Sequence, residues 1–104
     1  MTEWVDACGV DDVDEEDLIG FDHDGKIYAI YRSGKNEYFA TDGICTHEHA
    51  LLAGGLVMDY ITECPMHNGR FDYRTGEAKD APVCIDLRTY EIKIDSGRVY
   101  VAIS

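Results

Sequence analysis

Along most of this chain apolar and polar residues alternate in short runs with a period of two, the signature of half-buried strands. Near the C-terminus, Tyr90, Ile92 and Ile94 share one face of a run from Thr89 to Ile94. Val99, Val101 and Ile103 share one face of the next run, Arg98 to Ile103, and Asp95-Ser96-Gly97 between them predicts a turn. Upstream, Gly20 to His23 and Lys26 to Tyr31 flank Asp24-Gly25, a dipeptide suited to tight hairpin turns. Trp4 to Cys8 reads as a first short strand, and Glu37 to Ala40 as another, after a turn at Ser33 to Asn36. Leu56 to Met58 and Tyr60 to Glu63 predict a hairpin turning at Asp59, and Tyr73 to Gly76 a further turn. Ala81-Pro82-Val83 is extended, because proline disfavours helix at its own position and just before it. No stretch sustains a helical period, and no repeat or linker interrupts the pattern. The expectation is an all-β domain of many short strands.

Two segments break the alternation. Asp11 to Asp17 is densely acidic with Val13 as its one apolar member, which fits a solvated loop or a single helical turn; a docking surface is the alternative. The other segment follows Asp42-Gly43 and holds Cys45-Thr46-His47, then Leu51, Leu52 and Gly54-Gly55, and finally Cys64-Pro65-Met66-His67. Half of the chain's four cysteines and half of its four histidines fall in these two motifs. Thiolate and imidazole donors suit zinc, copper and iron about equally. A zinc finger usually pairs cysteines on one knuckle and histidines on a helix, whereas each motif here offers one of each. With two metal atoms side by side, each motif can give a thiolate to one and an imidazole to the other. That is the donor set of a 2Fe–2S centre in which two histidines replace two cysteines on one iron. A single zinc held by the same four residues remains the alternative.

The segment Cys45 to Ala50, with Glu63 to Asp72, Gly76-Glu77 and Ala81-Pro82-Val83, closely resembles the Rieske-type ferredoxins, electron-transfer components of bacterial ring-hydroxylating and related oxygenases. The resemblance covers nearly the whole chain. It implies antiparallel sheets forming a base domain, residues 1–43 and 74–104, with an inserted cluster-binding subdomain at about 44–73. It also implies one Rieske 2Fe–2S cluster per chain, with Cys45 and Cys64 on one iron and His47 and His67 on the other. The cysteines would lie deeper and the imidazoles nearer solvent; Leu51 and Leu52, with the Leu56 to Glu63 hairpin, are placed beneath the cluster, joining the two loops. His49 would be a rim residue, Glu48 would add charge at the tip, and Met66 would cover the solvent side. With every metal position filled there is no open site for a substrate, so the resemblance implies a carrier and not an enzyme. Its partners would be an NAD(P)H-dependent flavoprotein reductase and a terminal oxygenase. A Rieske-like small subunit of a larger reductase is the remaining related reading.

Length and charge narrow the picture. A chain of 104 residues predicts one domain, without a second catalytic one. The net charge of −12 argues against nucleic acid and anionic membranes, and fits steering towards basic partners. No basic-then-apolar leader opens the sequence, and the apolar stretch at Ala50 to Met58 is too short to span a bilayer. A cytoplasmic monomer is expected, with Cys8 and Cys84 as free thiols packed like small hydrophobes and His23 as a surface histidine.

The departures from high-potential Rieske proteins carry a further expectation. Those relatives join the two loops by a disulfide, where this chain has Ala50 and Met66. They also direct a serine and a tyrosine hydroxyl at the cluster sulfurs, where this chain has Gly69 and Phe71. A donor to sulfur favours the reduced state, so its absence predicts a potential near the bottom of the Rieske range.

Overall fold

A computed structural model describes residues 2–46, 50–66, 69–79 and 85–103. His47, Glu48, His49, His67, Cys84 and the Ala81-Pro82-Val83 segment lie outside the described residues.

Among the described residues the chain forms ten strands in three antiparallel sheets. The first sheet has the order β1 (Glu3–Gly9), β10 (Arg98–Ile103), β9 (Ile92–Asp95). The second has the order β2 (Asp17–His23), β3 (Lys26–Arg32), β4 (Tyr38–Asp42), β8 (Thr89–Tyr90). The third joins β5 (Leu56–Met58), β6 (Ile61–Glu63) and β7 (Arg70–Asp72), each of three residues. The sheets are all-β and antiparallel, as the pattern and the resemblance together predict.

Strand β3 explains how the sheets stack. Its sequence is apolar almost throughout, without alternation, and both of its faces are buried. Tyr28 and Ile30 pack with Cys8, Val13, Val99 and Val101, between the first and second sheets. Ala29 and Tyr31 pack on the other side with Leu52, Phe71, Tyr73 and Leu87, towards the third sheet. One strand thus serves two cores. Cys8 lies in the first of them, and burial pushes its thiol pKa up, in keeping with a role as a small hydrophobe.

A 3-10 turn, Val10–Asp12, leads into the acidic run, whose last residue, Asp17, already begins β2; the turn is closed by a hydrogen bond from Gly9 N–H to Asp12 Oδ2 of 2.8 Å. Val13 is fully buried and anchors it, while its carbonyl accepts from Arg32 at 2.9 Å. The run from Thr89 to Ile94 is not one strand. Thr89–Tyr90 pairs with β4, and from Ile92 the chain pairs with β10, so it changes sheets at Glu91. Tyr90 and Ile92 pack in the first core, but Ile94 is 47% exposed on an edge strand near the hairpin tip. The alternation was real, yet the core ends before the pattern does.

Candidate metal centre

Each cysteine motif sits in a loop closed in the same way. Cys45 N–H donates to the Ala50 carbonyl at 2.8 Å, and Cys64 N–H donates to the Gly69 carbonyl at 2.7 Å. In both cases the bond spans five residues. The first loop is closed behind the cysteine by an isolated Ile44–Leu51 bridge, and the second by the Glu63–Arg70 pair of the β6–β7 hairpin. Arg70 also forms an ion pair with Glu63 at 3.0 Å across that hairpin. Two loops of matching closure therefore end the paths that begin at Cys45 and Cys64.

The thiols are buried together. Cys45 and Cys64 are at most 1% exposed and pack in one core with Leu52, Phe71 and Tyr73. Met66 N–H points to Cys64 Sγ at 3.5 Å. Leu52 belongs to this core as expected, whereas its neighbour Leu51 is half exposed. The reason is local: Leu52 opens a 3-10 turn, Leu52–Gly54, which directs successive side chains away from one another.

That turn also connects the two loops. Gly55 lies against β6 so closely that a Cβ there would overlap the Glu63 carbonyl oxygen, and it would meet Pro65 Cδ at 3.2 Å. Only glycine permits that approach. The first loop is further tied down by Thr46 Oγ1, which donates to the Ile85 carbonyl at 2.8 Å.

Below the loops lies an aromatic floor. Tyr31 and Tyr73 stack in parallel with ring centres 4.5 Å apart. Burial pushes the Tyr31 hydroxyl up to about 12 and raises that of Tyr73, so both stay protonated at neutral pH. Tyr73 uses its proton to donate to the Asp59 carbonyl at 2.7 Å. Asp72, nearly buried, accepts from the Arg74 backbone N–H at 2.9 Å and from its guanidinium at 2.9 and 3.1 Å. The Arg74 guanidinium lies 4.0 Å from the centre of the Tyr60 ring. These supports were not found by sequence pattern, because Arg70–Asp72 is too short to show alternation and reads as loop.

His23 belongs to the β2–β3 hairpin, stacked on Phe21 with centroids 6.2 Å apart and 3.6 Å from Asp24. Its part-buried side chain is accounted for by that contact.

The donor set therefore fits a metal group: two buried thiols at the bases of two equivalently closed loops, each followed by a histidine in the sequence. The chain matches the Rieske [2Fe-2S] domain family over residues 3–91. It is 42% identical over 100 residues to the ferredoxin component of naphthalene 1,2-dioxygenase/salicylate 5-hydroxylase systems of Ralstonia sp, covering 95% of each chain. Among solved structures, a Sphingomonas yanoikuyae B1 ferredoxin superposes with a TM-score of 0.92 at 33% identity, covering 98% of this chain and 100% of that one. A complex of reduced oxygenase and oxidized ferredoxin in carbazole 1,9a-dioxygenase contains a chain matching at TM-score 0.90 and 32% identity, with 95% and 92% covered. The chain belongs to the Rieske [2Fe-2S] domain family, and it is similar in sequence to ferredoxin components of dioxygenase systems.

Proposed function

We propose that this protein is a one-electron carrier that takes electrons from a flavoprotein reductase and delivers them to a terminal oxygenase, and is not itself the catalyst. The observation that supports this most is the burial of Cys45 and Cys64 in one core at the bases of two matched loops. Cys45 and Cys64 are the proposed ligands of one iron, and His47 and His67 those of the other. A Rieske cluster, when bound, supplies a site that accepts and releases a single electron. The chain's own residues hold the thiols out of water, and Met66 N–H lies against Cys64 Sγ, where a donor favours added negative charge.

The surface fits the same reading. Of the eight exposed large apolar side chains among the described residues, Ile44, Leu51, Met66 and Ile85 belong to or border the two loops. Ile44 and Leu51 are paired beside the first loop, Met66 is within the second, and the Ile85 carbonyl is bonded to Thr46. A protein that exchanges electrons through these loops needs a surface there that a partner can desolvate. We place the carrier in the cytoplasm as a monomer, the reading its acidic sequence suggests. No helix among the described residues is long and apolar enough to cross a membrane. The named systems of its relatives act on naphthalene, salicylate, anthranilate and biphenyl, so an aromatic compound is the proposed class of substrate for the oxygenase it serves.

The test is composition and turnover. Protein made with ample iron and sulfide should hold two irons and two labile sulfides, and should show a rhombic paramagnetic signal on reduction. Stoichiometric zinc instead would establish the alternative, a zinc-stabilised binding module. Mixed with the reductase and oxygenase of a naphthalene 1,2-dioxygenase system, the loaded protein should support product formation in place of that system's ferredoxin.

A further inference from the structure

Cys45 and Cys64 are carried by different parts of the fold. Cys45 follows β4, and its loop is tied to the second sheet through Gly43 N–H to the Ile27 carbonyl and Leu52 N–H to the Gly43 carbonyl, both 2.9 Å. Cys64 follows β6, so its place depends on how the third sheet sits on the others. That sheet has only three-residue strands, too little pairing to fix itself.

The end of the third sheet opposite the Cys64 loop is the β5–β6 turn, Asp59-Tyr60, with Asp59 at φ 54°. Two glutamates reach it from separate connections. Asp59 N–H donates to Glu16 Oε2 at 2.9 Å, and Glu16 precedes β2. Tyr60 hydroxyl donates a short hydrogen bond to Glu37 Oε1, and Glu37 lies between β3 and β4. Glu37 is itself oriented, because Ser33 Oγ donates to the same oxygen at 3.1 Å while accepting from the Lys35 and Glu37 backbone N–H groups. Tyr73, just after β7, closes the turn from within by donating to the Asp59 carbonyl and stacking on Tyr31 of β3. The buried face of the sheet is held by Phe71 and Tyr73 in the core, and the two glutamates add attachments from different directions at adjacent residues of its exposed turn.

We propose that Glu16 and Glu37 are positioning residues that clasp the β5–β6 turn and thereby hold Cys64 at a fixed place relative to Cys45. The inference rests on the reading of these two cysteines as a ligand pair. Holding two ligands in place before the metal group arrives lowers the ordering cost of binding it, and keeps the site from relaxing when it is loaded. It also assigns a task to Glu16, within the acidic run, beyond contributing charge.

The experiment uses the iron-loaded protein with three variants: Glu16→Ala/Glu37→Ala, Glu16→Gln/Glu37→Gln, and Tyr60→Phe. Glutamine keeps the acceptor oxygen and alanine removes it. Residue-resolved amide exchange and the rate at which a chelator bleaches the visible absorption are measured on each. In the double alanine variant, exchange at Ile61 to Cys64 and Arg70 to Tyr73 should rise about tenfold or more, with Val99 and Val101 in β10 unchanged. Bleaching should accelerate several-fold in step. The double glutamine variant should return both towards the parent values, and Tyr60→Phe should show a smaller change of the same kind. Faster exchange spread evenly over all three sheets would overturn the proposal, as would unchanged bleaching in a folded alanine variant. If the parent protein bound no iron, the carrier reading would fail by that result alone. The exchange contrast in the iron-free protein would still decide the clasp, with selective loosening of β6 and β7 supporting it and uniform loosening refuting it.

Discussion

At the scale of single residues, Cys45 and Cys64 stand out in the sequence as the proposed ligands because metal chemistry fixes both residue type and spacing. The residues that support them do not. Asp72 followed two positions later by Arg74 reads as a polar turn, and nothing in that pattern says that the carboxylate is buried while accepting three hydrogen bonds from Arg74. The Arg74 guanidinium holds the Asp72 carboxyl below its usual value. A depressed folded-state pKa means that the ionised form stabilises the fold above the unfolded-state pKa, and that this contribution is lost as pH falls through the lowered value. Asp72→Ala should therefore cost about 1–3 kcal/mol at neutral pH. Denaturation of parent and variant should show that gap closing in acid, and a gap independent of pH would mean that the ion pair is not its source. Phe71 offers a second test at this scale, since it is fully buried in the core that holds both cysteines. A hydroxyl donating to a cluster sulfur is worth roughly 1–2 kcal/mol, or about 40–90 mV for one electron. Phe71→Tyr and Gly69→Ser should each raise the midpoint by about that much in film voltammetry. A midpoint that stays put with the cluster intact would show that these positions do not set the potential.

At the scale of elements, alternation located most strands but could not say which sheet each joins. Asp24-Gly25 and Ser96-Gly97 marked hairpins correctly because their geometry is local: Asp24, Gly25, Ser96 and Gly97 all adopt positive φ. The division of Thr89 to Ile94 into β8 and β9 was invisible, since it is decided by partners far away in sequence. Strand β7 was missed for the same reason, as it exists by pairing with β6. Gly54-Gly55 was visible as a break, but the need for it comes from the packing of Gly55 against β6 and Pro65. Gly55→Ala places a methyl group against backbone that cannot move without parting β5 from β6. It should cost about 1–3 kcal/mol and lower the iron retained on purification. Gly25→Ala is the control: its φ is +77° with nothing within 4 Å of a Cβ, so it should cost about 1–2 kcal/mol of backbone strain and leave iron content unchanged. Equal iron loss in both variants would show that global stability, and not the fit of Gly55 between the loops, controls retention.

At the scale of the whole molecule, the net charge of −12 was legible from composition, but the distribution of exposed apolar side chains was not, because exposure is settled only by the fold. The two features predict different parts of an encounter. The acidic residues act at long range and raise the rate of approach to a basic partner, an effect screened beyond about 10 Å at 0.1 M salt. The apolar side chains beside the loops act only on contact, where losing them lets the complex come apart faster. Leu51 is 50% exposed and Ile85 61% exposed, so Leu51→Ser/Ile85→Ser should leave the fold and the cluster intact. Stopped-flow reduction of the carrier by a partner reductase, run across a range of salt, separates the contributions. Neutralising Asp11, Asp14, Glu15 and Asp17 to their amides should flatten the salt dependence of the second-order rate. The apolar double variant should instead keep the parent's salt slope while weakening the complex, by about tenfold for two partly desolvated side chains. If the amide variant retains the full salt slope, the steering charge lies elsewhere on the surface. If the serine variant binds as tightly as the parent, the partner does not seat on these residues, and electrons must leave by another face.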